Sequence, residues 1–160
     1  KATTAAIAQQ LALQLRMTSA MQSAWDGEQQ VTALRTGLTA AARAGAPAAV
    51  IGAVDALQAA IDSVAGPAQG SESGRRATGP TFRSVNGAMS GLLGAQDNAD
   101  WAPTAPMRAA FTAACRDLSA AHTAWRRVLT ASAPAANAVL TRNGMAALEV
   151  PRPAAAPGCQ

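Results

Sequence analysis

Apolar residues recur at helical spacing along most of this chain, and the pattern predicts four long helices and a short fifth one. The first helix opens at Thr3 or Thr4, which are good N-capping residues, and continues to Gly45. Gly45 and Pro47 then combine a terminating glycine with a proline in the first turn of the next helix. Apolar positions in the first helix recur roughly every 3.5 residues, which predicts a core-facing seam. This seam comprises Ile7, Leu11, Met21, Trp25 and Leu38.

The second helix is predicted between Pro47 and Gly66, with apolar residues that step alternately by four and three. Its seam comprises Val50, Val54, Leu57, Ile61 and Val64. Residues 67–79 follow, rich in Gly, Ser and Pro and without an apolar anchor, which is typical of a disordered loop.

Three further helices are predicted beyond that loop. The third begins near Pro80, the fourth after Thr104, and the short fifth after Ser132, ending near Asn143. Residues 151–160 are rich in proline and alanine, which favours an extended tail. We therefore expect an all-α fold, an antiparallel four-helix bundle over residues 1–150 with a short fifth helix and an extended C-terminal tail. Seven seam residues should lie in its core: Leu57, Ile61, Phe82, Met89, Phe111, Leu118 and Trp125.

Composition supports the helical prediction and narrows the possible partners. Aromatic residues make up only 3% of the chain, so the core must be built from small and aliphatic side chains. The net charge is +4, but the twelve arginines and one lysine are spread along the chain without a basic run or interleaved aromatics. This distribution argues against nucleic-acid binding. No stretch reaches about 18 uninterrupted apolar residues, so no membrane span is predicted. Because the chain starts at Lys1 without a signal-peptide pattern, we expect a processed protein, an excised domain or a partial chain.

The densest polar cluster, around Asp97 and Asp100, invites a metal-binding interpretation. A calcium loop needs oxygen ligands at alternate positions followed by a glutamate, and the next glutamate here is Glu149. Thr104 instead stands where the fourth helix needs an N-cap, and the two aspartates precede its positive end. We therefore interpret the cluster as a helix joint without a metal.

Catalytic and cofactor chemistry find no support in the residue pattern. His122 is the only histidine, its nearest acid Asp117 lies on another helix face, and no glycine elbow surrounds Ser119. We expect a structural histidine. Asp55 and Asp62 share a helix face, but no Glu-x-x-His pair exists for a di-iron site. The methionines at 17, 21, 89 and 107 are expected to fill the core. No catalytic residue, cofactor or metal site is predicted.

The chain resembles a known family over most of residues 5–150. From Thr81 onward the pattern is similar to the C-terminal helical domain of sortilin-type, BNR-repeat glycosyl-hydrolase-like proteins of bacteria, and the first helix resembles the opening helix of that domain. The matching motifs are Asn86-Gly87, Leu92-Leu93, Asp97, Ala99-Asp100, Ala102-Pro103-Thr104, Trp125, Asn137, Val139-Leu140 and Gly144-Met145. The chain departs from the family at Trp101 and in its cysteine-bearing tail.

The resemblance implies a domain that follows a large β-propeller in a secreted or periplasmic protein, with any glycosidase activity residing in the propeller. We therefore expect a non-catalytic accessory domain that packs against the parent propeller or binds another protein. The alternative is a free-standing helical assembly module that forms an oligomer or filament.

Two cysteines are present, Cys115 within the fourth helix and Cys159 in the tail. The nine residues from Val150 to Cys159 can span roughly 30 Å, enough to return along the fourth helix. An even cysteine count in a secreted chain favours a disulfide between them. The alternative, which a cytosolic location would require, is a buried free Cys115 and a frayed Cys159.

Overall fold

The structure, a computed structural model, is all-α over the residues that it describes, 3–42, 45–68, 76–97, 102–153 and 159. These residues form helices and no strand, so the prediction of an all-α fold is confirmed. The helices are α1 (Thr4–Ala41), α2 (Ala48–Ala65), α3 (Phe82–Asp97), α4 (Ala105–Arg127) and α5 (Ala133–Arg142), and a π-helical segment (Val128–Ser132) joins α4 to α5.

Side-chain caps fix the starts of three helices where the sequence predicts them. Thr3 Oγ1 and Thr104 Oγ1 each accept a hydrogen bond from the main-chain N–H three residues later, at 3.1 and 3.4 Å. Before α3, Thr81 and Ser84 form reciprocal bonds of 3.0 Å, each hydroxyl accepting from the other residue's N–H. The end of α1 differs from the prediction, because the helix stops at Ala41 rather than at Gly45.

The predicted core seam of α1 is wrong over most of its length. Ile7, Leu11 and Trp25 are more than half exposed, and Met21 is half-buried, so only Leu38 lies fully in the core. The buried face instead carries many small residues. It comprises Leu13, Met17, Ala20, Ala24, Gly27, Val31, Leu34 and Leu38. Apolar residues occupy both sides of α1, so periodicity alone does not select the side that faces the core.

Helices α1 and α3 run in opposite directions. Near the start of α1, Gln10 Nε2 donates to the main-chain carbonyl of Gln96 at the end of α3, at 3.2 Å. Further along α1, Glu28 Oε1 accepts from Arg83 Nη2 at the start of α3, at 2.7 Å. Because α1 positions rise as α3 positions fall, the pair is antiparallel.

Helices α1 and α4 run in the same direction. Ser23 Oγ lies 2.9 Å from His122 Nε2, and Gln30 Oε1 accepts from Trp125 Nε1 at 2.9 Å. Helix α1 therefore contacts α3 and α4 as far along as Gln30, while Arg35 nearer its end contacts α2, which packs on α5. In the predicted antiparallel bundle, helices alternate in direction along the chain. Here α1 instead runs antiparallel to α3 and parallel to α4.

The π-helical segment lets α4 continue into α5 without a break. The fifth helix begins at Ala133 with Pro134 in its first turn, as predicted, but Ser132 keeps helical torsion angles and makes no side-chain cap. Proline lacks an N–H and clashes with the carbonyl four residues earlier, so it normally interrupts a helix. The wider π turn accommodates Pro134 inside an unbroken helix. Residues 105–142 thus form one continuous rod.

The seven predicted core residues are all buried, each at most 3% exposed. Met17 and Met89 are fully buried as predicted, while Met21 and Met107 are only half-buried. Among the described helices, α2 has the length and mean hydropathy, 1.5, of a membrane-spanning segment, with a third of it buried. It supplies Val50, Val54, Leu57 and Ile61 to the core.

Candidate functional site

The chain beyond α5 returns along α1. Asn137 holds its first part through two hydrogen bonds with the main chain of Leu148, of 2.7 and 3.0 Å. Gln30 Nε2 then donates to the carbonyl of Arg152 at 3.1 Å, and Arg16 Nη2 donates to the carbonyl of Cys159 at 2.9 Å. The order of contacts shows that the C-terminal segment runs antiparallel to α1.

A disulfide between Cys115 and Cys159 anchors this segment to α4. The two Cα atoms are 5.8 Å apart, the usual spacing for such a bond, and 44 positions separate them in sequence. The structure therefore places the two cysteines where the sequence predicts, and the alternative of a frayed Cys159 is not adopted. The bond joins the tail to the part of α4 that faces the start of α1.

His122 is a buried member of the core, only 6% exposed. Its Nε2 is 2.9 Å from Ser23 Oγ, and its ring meets the edge of Phe82 at a centroid distance of 4.9 Å. Burial lowers the pKa of His122 below its ordinary value, and the nearby charge of Arg126 lowers it further. Although Ser23 and His122 form a dyad, no carboxylate among the described residues orients the imidazole, as a nucleophilic site requires.

A buried ion pair, which the sequence pattern does not predict, links α1 to α2. Asp62 is 4% exposed, and its Oδ1 accepts from Arg35 Nη2 and Gln58 Nε2, both at 2.7 Å. Arg35 also donates to the carbonyl of Gly66, the positive-φ residue that ends α2. Asp55, which lies seven residues earlier on the same face of α2, is exposed. The pair therefore fixes where the two helices cross.

The prediction that Asp97 and Asp100 form a helix joint without a metal concerns side chains outside the described residues. Thr104, on which that interpretation also rests, does cap α4. Within the described part of the chain, no group of three or more His, Cys, Asp or Glu side chains is arranged to hold a metal ion.

The first half of α1 carries an exposed apolar face on the side opposite its buried one. Ile7, Leu11, Leu15 and Trp25, here called the outer stripe, are between 53% and 62% exposed. Their spacing places them on one side of the helix over about five turns. A row of large apolar side chains in water is typical of a surface that another protein covers.

The outer stripe ends beside acidic groups. Asp26 lies next to Trp25 in sequence, and Glu28 lines a small cavity of about 160 Å³ together with Trp25. One carboxylate oxygen of Glu28 pairs with Arg83, and the other, Oε2, is buried without a hydrogen-bond partner among the described residues. The stripe thus runs from Ile7 to Leu15, is interrupted by the polar Thr18 and Gln22, and ends at Trp25 beside the exposed Asp26.

A separate cleft of about 530 Å³ lies between the start of α1 and the first turns of α4. Arg16 and Arg108 contribute its charge, and Leu13 and Phe111 contribute its apolar wall. The guanidinium carbon of Arg16 is 4.9 Å from the centroid of the Phe111 ring. Neither arginine stands out in the sequence, because 92 positions separate them along the chain.

Comparisons with protein-family models, with curated protein sequences and with solved structures find no match for this chain.

Proposed function

We propose that this chain is a non-catalytic helical accessory domain of a secreted BNR-repeat propeller protein, and that the outer stripe of α1 is its docking surface. The observation that carries the proposal is the row of Ile7, Leu11, Leu15 and Trp25, each more than half exposed on one helix face. The resemblance in residues 81–145 motivates the choice of parent protein.

The disulfide supports the secreted or periplasmic location. Disulfides form and persist outside the reducing cytosol, and the Cys115–Cys159 pair is the covalent anchor of the tail. A domain exported with its parent acquires this bond during folding. Its helical core then presents α1 as a rigid rod of 38 residues.

The charge at the end of the stripe defines the partner further. Asp26 is exposed beside Trp25, whereas Glu28 is paired with Arg83, so the complementary surface is apolar with a basic group facing Asp26. Trp25, at one end of the stripe, is expected to contribute most to the binding energy, because tryptophans dominate the energy of many interfaces.

The experiment compares amide hydrogen exchange of residues 4–26 in the full-length parent protein and in the isolated domain. We expect slower exchange in the full-length protein, and loss of that difference in Leu15→Asp. Ile51→Asp is the matched control, because Ile51 is an exposed apolar residue of α2, 47% exposed, away from the stripe. Equal exchange in both forms of the wild-type protein would contradict the docking role.

Sedimentation equilibrium of the isolated domain separates the accessory domain from the alternative assembly module. The accessory domain is a monomer when isolated, since its partner is a different surface. An oligomer that Leu15→Asp dissociates and Ile51→Asp leaves intact would replace the proposal with self-association through the same stripe.

A further inference from the structure

The cleft between α1 and α4 has the features of an anion-binding site that is separate from the outer stripe. It lies on another side of α1 and holds about 530 Å³, a volume within the range of small-molecule pockets. Its polar and apolar lining residues include Gln9, Leu13, Arg16, Arg108, Phe111 and Thr112.

Two arginines face this cleft without a carboxylate partner among the described residues. Arg16 and Arg108 each donate to a main-chain carbonyl, that of Cys159 and that of Pro103. Each guanidinium has five N–H donors, so most of them remain available for a ligand. Arg142 bonds to a main-chain carbonyl in the same way, whereas Arg35 and Arg83 pair with the carboxylates of Asp62 and Glu28.

The position of Arg108 opposes its own helix. It stands in the first turn of α4, where the helix dipole favours negative charge, and that turn contains no acidic residue. Arg16 lines the same cleft, so an anion bound there would interact favourably with both guanidinium groups.

The surroundings hold the two arginines in place. Arg16 lies over the Phe111 ring and bonds to the carbonyl of Cys159, which the disulfide ties to α4. Arg108 is held by the carbonyl just before its helix. Both arginines are exposed, and these contacts restrict their guanidinium groups before a ligand binds.

We propose that this cleft binds a small organic molecule through a dianionic phosphate group. A phosphomonoester carries a charge of about −1.5 to −2 at pH 7, which matches the two arginines. Its oxygens accept paired hydrogen bonds from guanidinium groups. The organic part packs against the apolar wall that Leu13 and Phe111 provide.

The experiment titrates the chain with phenyl phosphate, and separately with inorganic phosphate, by isothermal calorimetry at fixed ionic strength. We expect saturable one-to-one binding of phenyl phosphate, at least about tenfold weaker in Arg108→Gln and in Arg16→Gln. Arg142→Gln is the matched control, because Arg142 is exposed on α5 and also donates to a main-chain carbonyl. This variant should bind as the wild type does.

Amide chemical shifts during the same titration locate the site. We expect the largest changes at the start of α4 and around Arg16, and circular dichroism should show that the glutamine variants remain folded. Absence of saturable binding up to about 10 mM phenyl phosphate would overturn the proposal. Equal weakening by Arg142→Gln would also overturn it, since that result indicates a general charge effect. Tighter binding of inorganic phosphate than of phenyl phosphate would contradict the organic part of the ligand.

Discussion

Gly27 allows α1 and α3 to approach each other, and replacing it with alanine tests how rigid that contact is. A Cβ atom at this position would lie 2.5–2.7 Å from three ring atoms of Phe82. These distances are shorter than van der Waals contact, and Phe82 is buried, 3% exposed, so its ring has little room to move. Gly27→Ala must therefore displace either the ring or the helix.

The magnitude follows from two opposing effects. Alanine in a helix interior is favoured over glycine by about 1 kcal/mol, whereas overpacking a core costs about 1–3 kcal/mol. For Gly27→Ala we expect a net loss of up to about 2 kcal/mol of unfolding free energy. At this chain length that upper value corresponds to a decrease in Tm of roughly 6 °C. Gly87→Ala in α3 is the matched control, since nothing lies within 4 Å of its added Cβ. It should instead stabilise the protein by about 0.5–1 kcal/mol.

The assay is urea unfolding followed by circular dichroism at 222 nm, a standard helix wavelength, with the unfolding free energy extrapolated to water. The double variant Gly27→Ala/Phe82→Leu should lose less stability than the sum of its single variants, because the smaller side chain vacates the contested space. If Gly27→Ala stabilises the protein as much as Gly87→Ala does, the close contact between α1 and α3 is refuted.

Three further predictions concern the tail, the histidine and the buried ion pair. Relative to the oxidised wild type, Cys159→Ser should lower the unfolding free energy by about 4 kcal/mol on the chain-entropy model for a 44-residue loop, as measured by urea unfolding. The reduced wild type is the control and should be as stable as the variant. The pKa of His122 is lower in the folded chain than in the unfolded one, so the unfolded chain binds more protons as the pH falls below about 6.5. The free energy of unfolding should therefore be highest above that pH and decline below it. In thermal melts between pH 7.5 and 5.5, His122→Gln should flatten this decline. Asp62→Asn should lower the free energy of unfolding, measured in urea, by about 3–5 kcal/mol, because the charge of Arg35, whose side chain is 14% exposed, loses its partner. A decrease below about 1 kcal/mol would mean that the Arg35 side chain moves into water instead.

Local signals in the sequence were sufficient to predict where most helices begin and which side of α4 is buried. Thr3 and Thr104 are capping residues at the starts of periodic segments, and both act as caps. Along α4 the apolar positions stand opposite arginines and other polar residues, so the seam through Leu118 is unambiguous and is buried. The reach of the tail likewise placed Cys159 near Cys115.

Features that depend on contacts between distant helices could not be predicted from these signals. In α1 the large residues of the outer stripe, such as Leu11, compete with small ones on the opposite face, and the close approach of α3 at Gly27 decides in favour of the small ones. Asp62 is buried because Arg35 reaches it from another helix, 27 positions away. The cleft arginines converge only because α1 and α4 run in the same direction, a relation that no local pattern specifies.

The cystine also determines how the domain responds to mechanical force. A pull on the two ends of the chain passes from Cys115 directly to Cys159, so the π-helical segment, α5 and the returning tail carry no load while the bond is intact. The chain between the cysteines, 44 positions apart, is then withheld from extension, a hidden length of about 150 Å at 3.3–3.6 Å per residue. Reduction adds this length to the extension on unfolding. It also lets the force reach α5 first, so the redox state of this one bond determines which end of the domain unfolds first.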